Sequence, residues 1–325
     1  EKNGMLIVTE RTCQELVGRS EAFDAVENVF AAMARGDAYN FPVIRESIGH
    51  ADALYGFKSG FDRAGMSLGV KSGGYWPGNM DKGLTNHQST VFLFDPDTGQ
   101  LAALVGGNYL TAVRTAASSA VSIAHLARKD ARVLGMVGAG HQAGFQLRAA
   151  AEQRNFEKVV AWNRHTEKLP KLEQVALEIG LPFEAVEREQ LCAEADVIIT
   201  IASANEPLLE REWIRPGTHL ACMGTDTKGK QEVSVDLVAN VSLFTDEIAQ
   251  SVSIGETQHA IAMGRISESD ITAIGDVING THPGRTTEDE ITLYDGTGVG
   301  LQDLAVASVA AKLAQAQGKA QEITL

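Results

Sequence analysis

Arg132-Val133-Leu134-Gly135-Met136-Val137-Gly138-Ala139-Gly140-His141-Gln142-Ala143 is the stretch on which the reading of this chain turns. Its first half is an apolar run of strand length, and its second half is a glycine-rich turn that opens an apolar helix. In that setting glycine permits a tight turn and lets the backbone approach a pyrophosphate closely, while the helix N-terminus supplies amide donors and positive dipole. The pattern G-x-G-x-x-G/A alone is weak. Here a second strand, Lys158 to Trp162, ends about 20 residues further on, which is the context that gives the motif its mechanism. Gly138, Ala139, Gly140, His141 and Gln142 are therefore expected to hold a dinucleotide.

Downstream, strands near Phe183–Val186, Val197–Ile201, His219–Met223 and Ser242–Thr245 continue the alternation, with helices over Gly140–Gln153 and Thr166–Ile179. Alternation of this kind implies a parallel sheet with right-handed crossovers. Upstream, between residues 40 and 106, short apolar runs are broken by glycine: Leu54-Tyr55-Gly56-Phe57, Ser67-Leu68-Gly69-Val70, and Ser89 to Phe94 before the turn Asp95–Gly99 and Leu101–Val105. That rhythm predicts sequential strands in a largely antiparallel or mixed sheet. A strand at Met5–Val8, a helix over Ser20–Arg35 with Ser20 as N-cap and a small-residue helix over Thr111–Leu126 complete the N-terminal part. A strand at Ile291–Asp295 and an alanine-rich helix over Leu301–Ala316 close the chain. The expectation is an α/β protein of two domains. Residues 119–300 form a Rossmann-type doubly wound parallel sheet, and residues 1–118 with 301–325 form a substrate-binding domain onto which the last helix returns. A length of 325 residues, beyond what one core usually serves, agrees.

Composition narrows the function. A formal charge of −14 disfavours a phosphate backbone as partner, so no nucleic acid is expected. That average leaves room for a local cationic pocket. No window approaches the roughly 20 apolar residues of a membrane span, and the start Glu1-Lys2-Asn3-Gly4-Met5 lacks a signal peptide's apolar run. Cys13, Cys192 and Cys222 are odd in number and far apart, which suits neither a disulfide framework nor a zinc site and fits the cytoplasm. No metal-ligand spacing appears among the histidines.

The second strand ends Asn163-Arg164-His165 rather than in an acid that would bond a ribose hydroxyl, so these residues leave NAD and NADP both open. Ser203 and Asn205 follow the strand Val197–Ile201, where a parallel sheet opens to ligands, and are candidates for the nicotinamide site.

Several further stretches join the glycine loop in one pattern: Val70-Lys71, Leu110-Thr111-Ala112-Val113-Arg114-Thr115-Ala116-Ala117, Gly224-Thr225-Asp226-Thr227-Lys228-Gly229-Lys230-Gln231-Glu232, and Asp295-Gly296-Thr297-Gly298 with Asp303 beyond. Together they resemble the ornithine cyclodeaminase and mu-crystallin family over most of the chain. The resemblance implies a homodimer joined through the first domains, and a cleft between domains where an amino or imino acid meets the nicotinamide. By the same resemblance Arg45, Lys71 and Arg114 hold the substrate carboxylate, and Asp226 faces the reacting nitrogen. Guanidinium forks match a carboxylate in two bonds, which gives that assignment a physical basis. Lys71 and Asp226 are then the candidate catalytic groups, since an imine gains a proton as it becomes an amine. His87 is a further candidate acid-base group, since histidine titrates near neutrality.

One departure stands out. Cyclodeaminases of the family carry a glutamate shortly before the lysine matched by Lys71, and here Leu54-Tyr55-Gly56-Phe57-Lys58-Ser59 has none, with Lys58 at or next to its place. Exchanging an anion for a cation turns preference from a diamine toward a second carboxylate. Tyr39-Asn40-Phe41-Pro42, Gly73-Gly74-Tyr75-Trp76-Pro77, Asn86-His87-Gln88-Ser89-Thr90 and Gln250-Ser251-Val252-Ser253-Ile254-Gly255-Glu256 are similar to the iminosuccinate-reducing branch of the family. That likeness implies NADH as cofactor and L-aspartate as product. Ornithine cyclodeaminase, alanine dehydrogenase and cyclic ketimine reductase are the alternative activities, and a mu-crystallin-like binding protein is the alternative without catalysis.

Overall fold

Glycine placed opposite glycine lets long strands pack tightly in the N-terminal half. In the computed structural model, which describes residues 4–324, strands β1 (Met5–Val8), β2 (Ala38–Asn40), β3 (Ile44–Ser47), β4 (Leu54–Asp62), β5 (Ser67–Tyr75), β6 (His87–Phe94) and β7 (Leu101–Gly106) share one eight-stranded sheet with the terminal strand Gln321–Ile323. From that terminal strand the order is β1, β7, β6, β5, β4, β2, with β3 also alongside β4. Only the β1–β7 pairing is parallel, so the sheet is mixed.

The register puts Lys58, Lys71, Val91 and Val105 in one row across the sheet, on a single face. Gly60 and Gly69 lie on that same face, where a Cβ would stand 3.1 Å from Leu301 Cδ2 and 3.0 Å from Leu304 Cδ2 respectively. The missing side chains admit the Gly300–Ala316 helix, which is further fixed by Ser67 Oγ to Ser308 Oγ at 2.6 Å and Leu301 N to Asn40 Oδ1 at 3.2 Å. The C-terminal helix thus packs on the first sheet, as its apolar composition predicts.

The amphipathic Arg19–Ala34 helix buries Ala22, Val26, Val29 and Phe30. Its N-cap is Gly18 and not Ser20, because the Glu21 carboxylate reaches back to accept from Gly18 N at 2.9 Å and so satisfies an otherwise orphaned amide. A seven-residue helix, Glu10–Leu16, also forms where the sequence alone predicted none.

Contacts divide the chain into two units, Glu1–Arg114 with Val299–Leu325 and Thr115–Gly298, so the Asn108–Leu126 helix starts in the first and ends in the second. In the second unit β8 (Val133–Val137), β9 (Lys158–Trp162), β10 (Phe183–Ala185), β11 (Val197–Thr200), β13 (His219–Cys222), β15 (Ser242–Thr245), β16 (Ile271–Ala273) and β17 (Thr292–Asp295) form an all-parallel sheet. Strands β12 (Asn205–Leu209) and β14 (Gln231–Val233) pair separately. The order β10-β9-β8-β11-β13-β17-β15-β16 reverses direction between β8 and β11, the switch point at which such sheets bind dinucleotides. The strands β8, β11, β13 and β17 are buried almost throughout, as expected when helices cover both faces. Cys13, Cys192 and Cys222 are free and buried. Among the described residues no helix is long and apolar enough to cross a membrane.

Candidate active site

Two groups of candidate functional side chains emerge, one in each unit. In the first, β5 carries Lys71 beneath the Gly300–Ala316 helix, whose first turns present Asp303. Lys71 Nζ lies 3.0 Å from Asp303 Oδ2, and Arg114 Nε donates to Asp303 Oδ1 at 2.9 Å. The three are only 7%, 5% and 1% exposed, so each charge depends on the others for solvation. Arg114 Nη1 makes a long contact of 3.4 Å to Gln302 Oε1, and Lys71 Nζ one of 3.4 Å to Thr111 Oγ1. Burial pushes the Asp303 carboxyl up, but Arg114, Lys71 and Lys58 outweigh it and hold it below its ordinary range. Lys71 is driven the other way, down to about 7, by burial first and then by Arg114 and Lys58 against the pull of Asp303.

Lys58 is half-buried and directly opposite Lys71 in the β4–β5 register, where like charges repel. His87 belongs to the same electrostatic group and is pushed down to about 3 by burial and by Lys71 and Arg114, so it is neutral. The structure thus gathers Lys58, Lys71, Arg114 and His87. Arg45 is on β3, whose four residues are all exposed, opposite Gly56 and so on the same sheet face as Lys58, two residues along β4.

In the second unit Gly138 adopts φ +115°, and a Cβ there would lie 2.6 Å from the carbonyl oxygen of Ile201, just past β11. Only glycine allows the two strand ends at the switch point to close up. A Cβ on Gly140 would meet nothing within 4 Å, which leaves open the space a pyrophosphate needs above the turn. A cavity of about 260 Å³ adjoins Ala139, Gly140 and His141, and Gln142 Oε1 is buried with no hydrogen-bond partner. These features fit a dinucleotide. Asn163 uses both ends of its amide on the turn, accepting from Ala139 N at 3.0 Å and donating to His165 O at 2.7 Å, while Arg164 is exposed at the end of β9. Ser203 is exposed after β11. Substituting Gly138→Ala is expected to cost about 2 kcal/mol of stability from the left-handed backbone alone, before the clash with Ile201 is counted. Chemical denaturation and a dinucleotide titration check this; unaltered stability and affinity would refute it.

Past β13, Asp226 accepts from Lys230 Nζ at 2.8 Å and Thr227 Oγ1 at 3.1 Å. Gln258 anchors the same loop, accepting from Gly229 N at 2.8 Å, while His259 Nε2 donates to Lys230 O at 2.9 Å. Behind the loop sit two buried carboxylates. Glu232 accepts from Ala202 N and Thr200 Oγ1 at 2.6 Å and from Gly224 N at 2.9 Å, tying the ends of β11 and β13 together. Glu256 takes the amides of Glu232 and Val233, both at 2.8 Å, and the Thr225 hydroxyl. Burial, then the charge of Glu256, pushes Glu232 up to about 8; burial also raises Glu256.

Asp303, Glu232 and Glu256 received no role from sequence reasoning. The available signal was a charge inside a segment otherwise apolar enough to be buried, as with Asp303 among Leu301, Leu304 and Val306.

The sequence model of the ornithine cyclodeaminase/mu-crystallin family matches residues 3–317. The iminosuccinate reductase of Paracoccus denitrificans (strain Pd 1222) is 60% identical over 321 residues, covering 99% of this chain and 100% of that protein. Its crystal structure in complex with NAD+ matches with a TM-score of 0.96 over 99% of this chain and 100% of that one. An archaeal alanine dehydrogenase dimer with bound NAD matches with a TM-score of 0.92 at 31% identity, over 98% and 99% of the two chains. With a match this long in both sequence and fold, the chain belongs to the ornithine cyclodeaminase/mu-crystallin family.

Proposed function

We propose that the chain reduces iminosuccinate to L-aspartate with NADH. It is an NAD-dependent oxidoreductase acting on a carbon–nitrogen double bond. The observation that carries the choice of substrate is the placing of Lys58 directly opposite Lys71 and in one electrostatic group with Arg114, where Asp303 bridges Lys71 and Arg114 and His87 is neutral. A dicarboxylate offers one carboxylate to Lys58 and another to Arg114 and Lys71, and it relieves the repulsion between Lys58 and Lys71 that the strand register imposes. A diamine would add to that repulsion, which weighs against cyclodeaminase activity.

Iminosuccinate, NADH and a proton become L-aspartate and NAD+. When bound, the dinucleotide supplies the hydride that the imine carbon receives. Arg114 and Lys71 orient the α-carboxylate, with Arg45 a further candidate from the family pattern, and Lys58 takes the second carboxylate. Since Asp303 engages Nε of Arg114 and Gln302 makes only a long contact with Nη1, Nη2 is the end of the guanidinium best placed to take a ligand. Asp226 holds the imine nitrogen and Lys71 is a donor for its proton. Gly138, Ala139, Gly140, His141 and Gln142 hold the dinucleotide, with Asn163, Arg164 and Ser203 at its margins.

Two copies are proposed to pair through the first unit, in the cytoplasm. What supports pairing is the sheet face opposite the Gly300–Ala316 helix, where Phe61, Leu68, Val70, Phe92, Phe94 and Leu104 are incompletely buried. Free buried cysteines suit a reducing compartment.

The reaction is tested by following NADH oxidation with oxaloacetate plus ammonia, then with pyruvate plus ammonia, and repeating both with NADPH. Turnover of the four-carbon acid to aspartate is expected. Turnover of the three-carbon acid alone would make the chain an alanine dehydrogenase instead.

A further inference from the structure

The reductase reading assigns Lys71 to the substrate but leaves unexplained how a nearly dry lysine, flanked by two other cations, stays charged and aimed before substrate arrives. Every element packed against it contributes a group. Lys58 faces it from β4, His87 from the start of β6, Arg114 and Thr111 from the Asn108–Leu126 helix, and Asp303 from the Gly300–Ala316 helix. Of these, Asp303 alone is an anion, and its two oxygens divide between Lys71 at 3.0 Å and Arg114 at 2.9 Å.

We propose that Asp303 is the positioning residue of the reaction: it keeps Lys71 protonated and directed at the substrate in the empty site, so that ionisation of Lys71 sets the alkaline limit of the reductive reaction. Two geometric facts support this. The carboxylate bridges both cations, so neither side chain can swing out without breaking a buried ion pair. Asp303 also stands in the first turns of a helix pressed on the sheet at Gly60 and Gly69, so its own place is fixed. The downward displacement of Lys71 to about 7 brings the ionisation into a workable range.

Loss of the Asp303 charge removes the one influence that favours protonated Lys71, so the lysine loses its proton at lower pH. Loss of the Lys58 charge removes a repulsion, so Lys71 keeps its proton to higher pH. The measurement is kcat/KM for oxaloacetate plus ammonia, which reports groups of the free enzyme. Each variant is expressed as a ratio to the unaltered enzyme at the same pH, which cancels the pH dependence of the imine.

For Asp303→Asn the ratio is expected to fall about tenfold between pH 5.5 and 8, the change produced by moving one ionisation by a unit. For Lys58→Gln, which keeps the experiment decisive if the first variant does not fold, the ratio is expected to climb severalfold over the same interval, whatever its overall level. Ratios flat in pH for the variants that fold would mean that Asp303 is merely structural, or that Lys71 is not the ionising group, and would overturn the proposal. The inference rests on the reductase reading, and the two fail differently: an unaltered enzyme that turns over no imino acid overturns both, whereas turnover with flat ratios overturns this inference alone.

Discussion

Lys58→Glu is expected to lower kcat/KM for the four-carbon imino acid about a thousandfold and to leave the three-carbon one far less affected. A charge-assisted contact is worth about 1.5–3 kcal/mol, and placing an anion beside the substrate's second carboxylate adds repulsion to that loss, so roughly 4 kcal/mol is reasonable. Folding should not suffer, because the introduced carboxylate would stand opposite Lys71 and replace a like-charged cross-strand pair by an opposite one. That separation makes the test sharp. Parallel kinetics with oxaloacetate plus ammonia and pyruvate plus ammonia, together with a melting curve, check it; an equal loss on both substrates would show that Lys58 does not touch the second carboxylate.

Arg114→Met should instead penalise every α-imino acid by about a hundredfold or more, since the α-carboxylate is common to all and two charge-assisted bonds of a guanidinium fork are lost together. The variant leaves Asp303 with Lys71 as its remaining buried cation, so some stability is lost as well. Dinucleotide affinity should hold, because the glycine loop lies in the other unit. Kinetics on both substrates and a dinucleotide titration check this. Selective loss on the four-carbon acid would reassign Arg114 to the distal carboxylate.

What could be read from the sequence was what is local. The glycine loop declares itself because its turn, strand and helix are contiguous, and Gly138 does occupy a backbone conformation that other residues rarely adopt. The strand rhythm between residues 40 and 106 showed because tight turns leave glycine and aspartate at short intervals. Lys71 and Arg114 came from family likeness, since a lysine in a strand and an arginine in a helix have no pattern of their own. Asp303 stood in the family pattern without a role, because its partners lie 189 residues away in the case of Arg114 and further still for Lys71, and only folding brings them together. The Glu10–Leu16 helix escaped for a different reason: it is a short segment with Cys13 as its only buried side chain, and so shows almost no periodicity. Ser20 was a reasonable cap by residue type, but the helix starts earlier, capped at Gly18, whose own amide donates to the Glu21 carboxylate.

The first unit is assembled from both ends of the chain, since Val299–Leu325 joins Glu1–Arg114. During synthesis the ribosome therefore releases the whole second unit before the first can be finished, reversing the usual order in which N-terminal domains mature first. Until the Gly300–Ala316 helix emerges, Lys71 and Arg114 lack the Asp303 carboxylate that bridges them. The Gly300–Ala316 helix, made after the whole second unit, thus decides when the first unit becomes native.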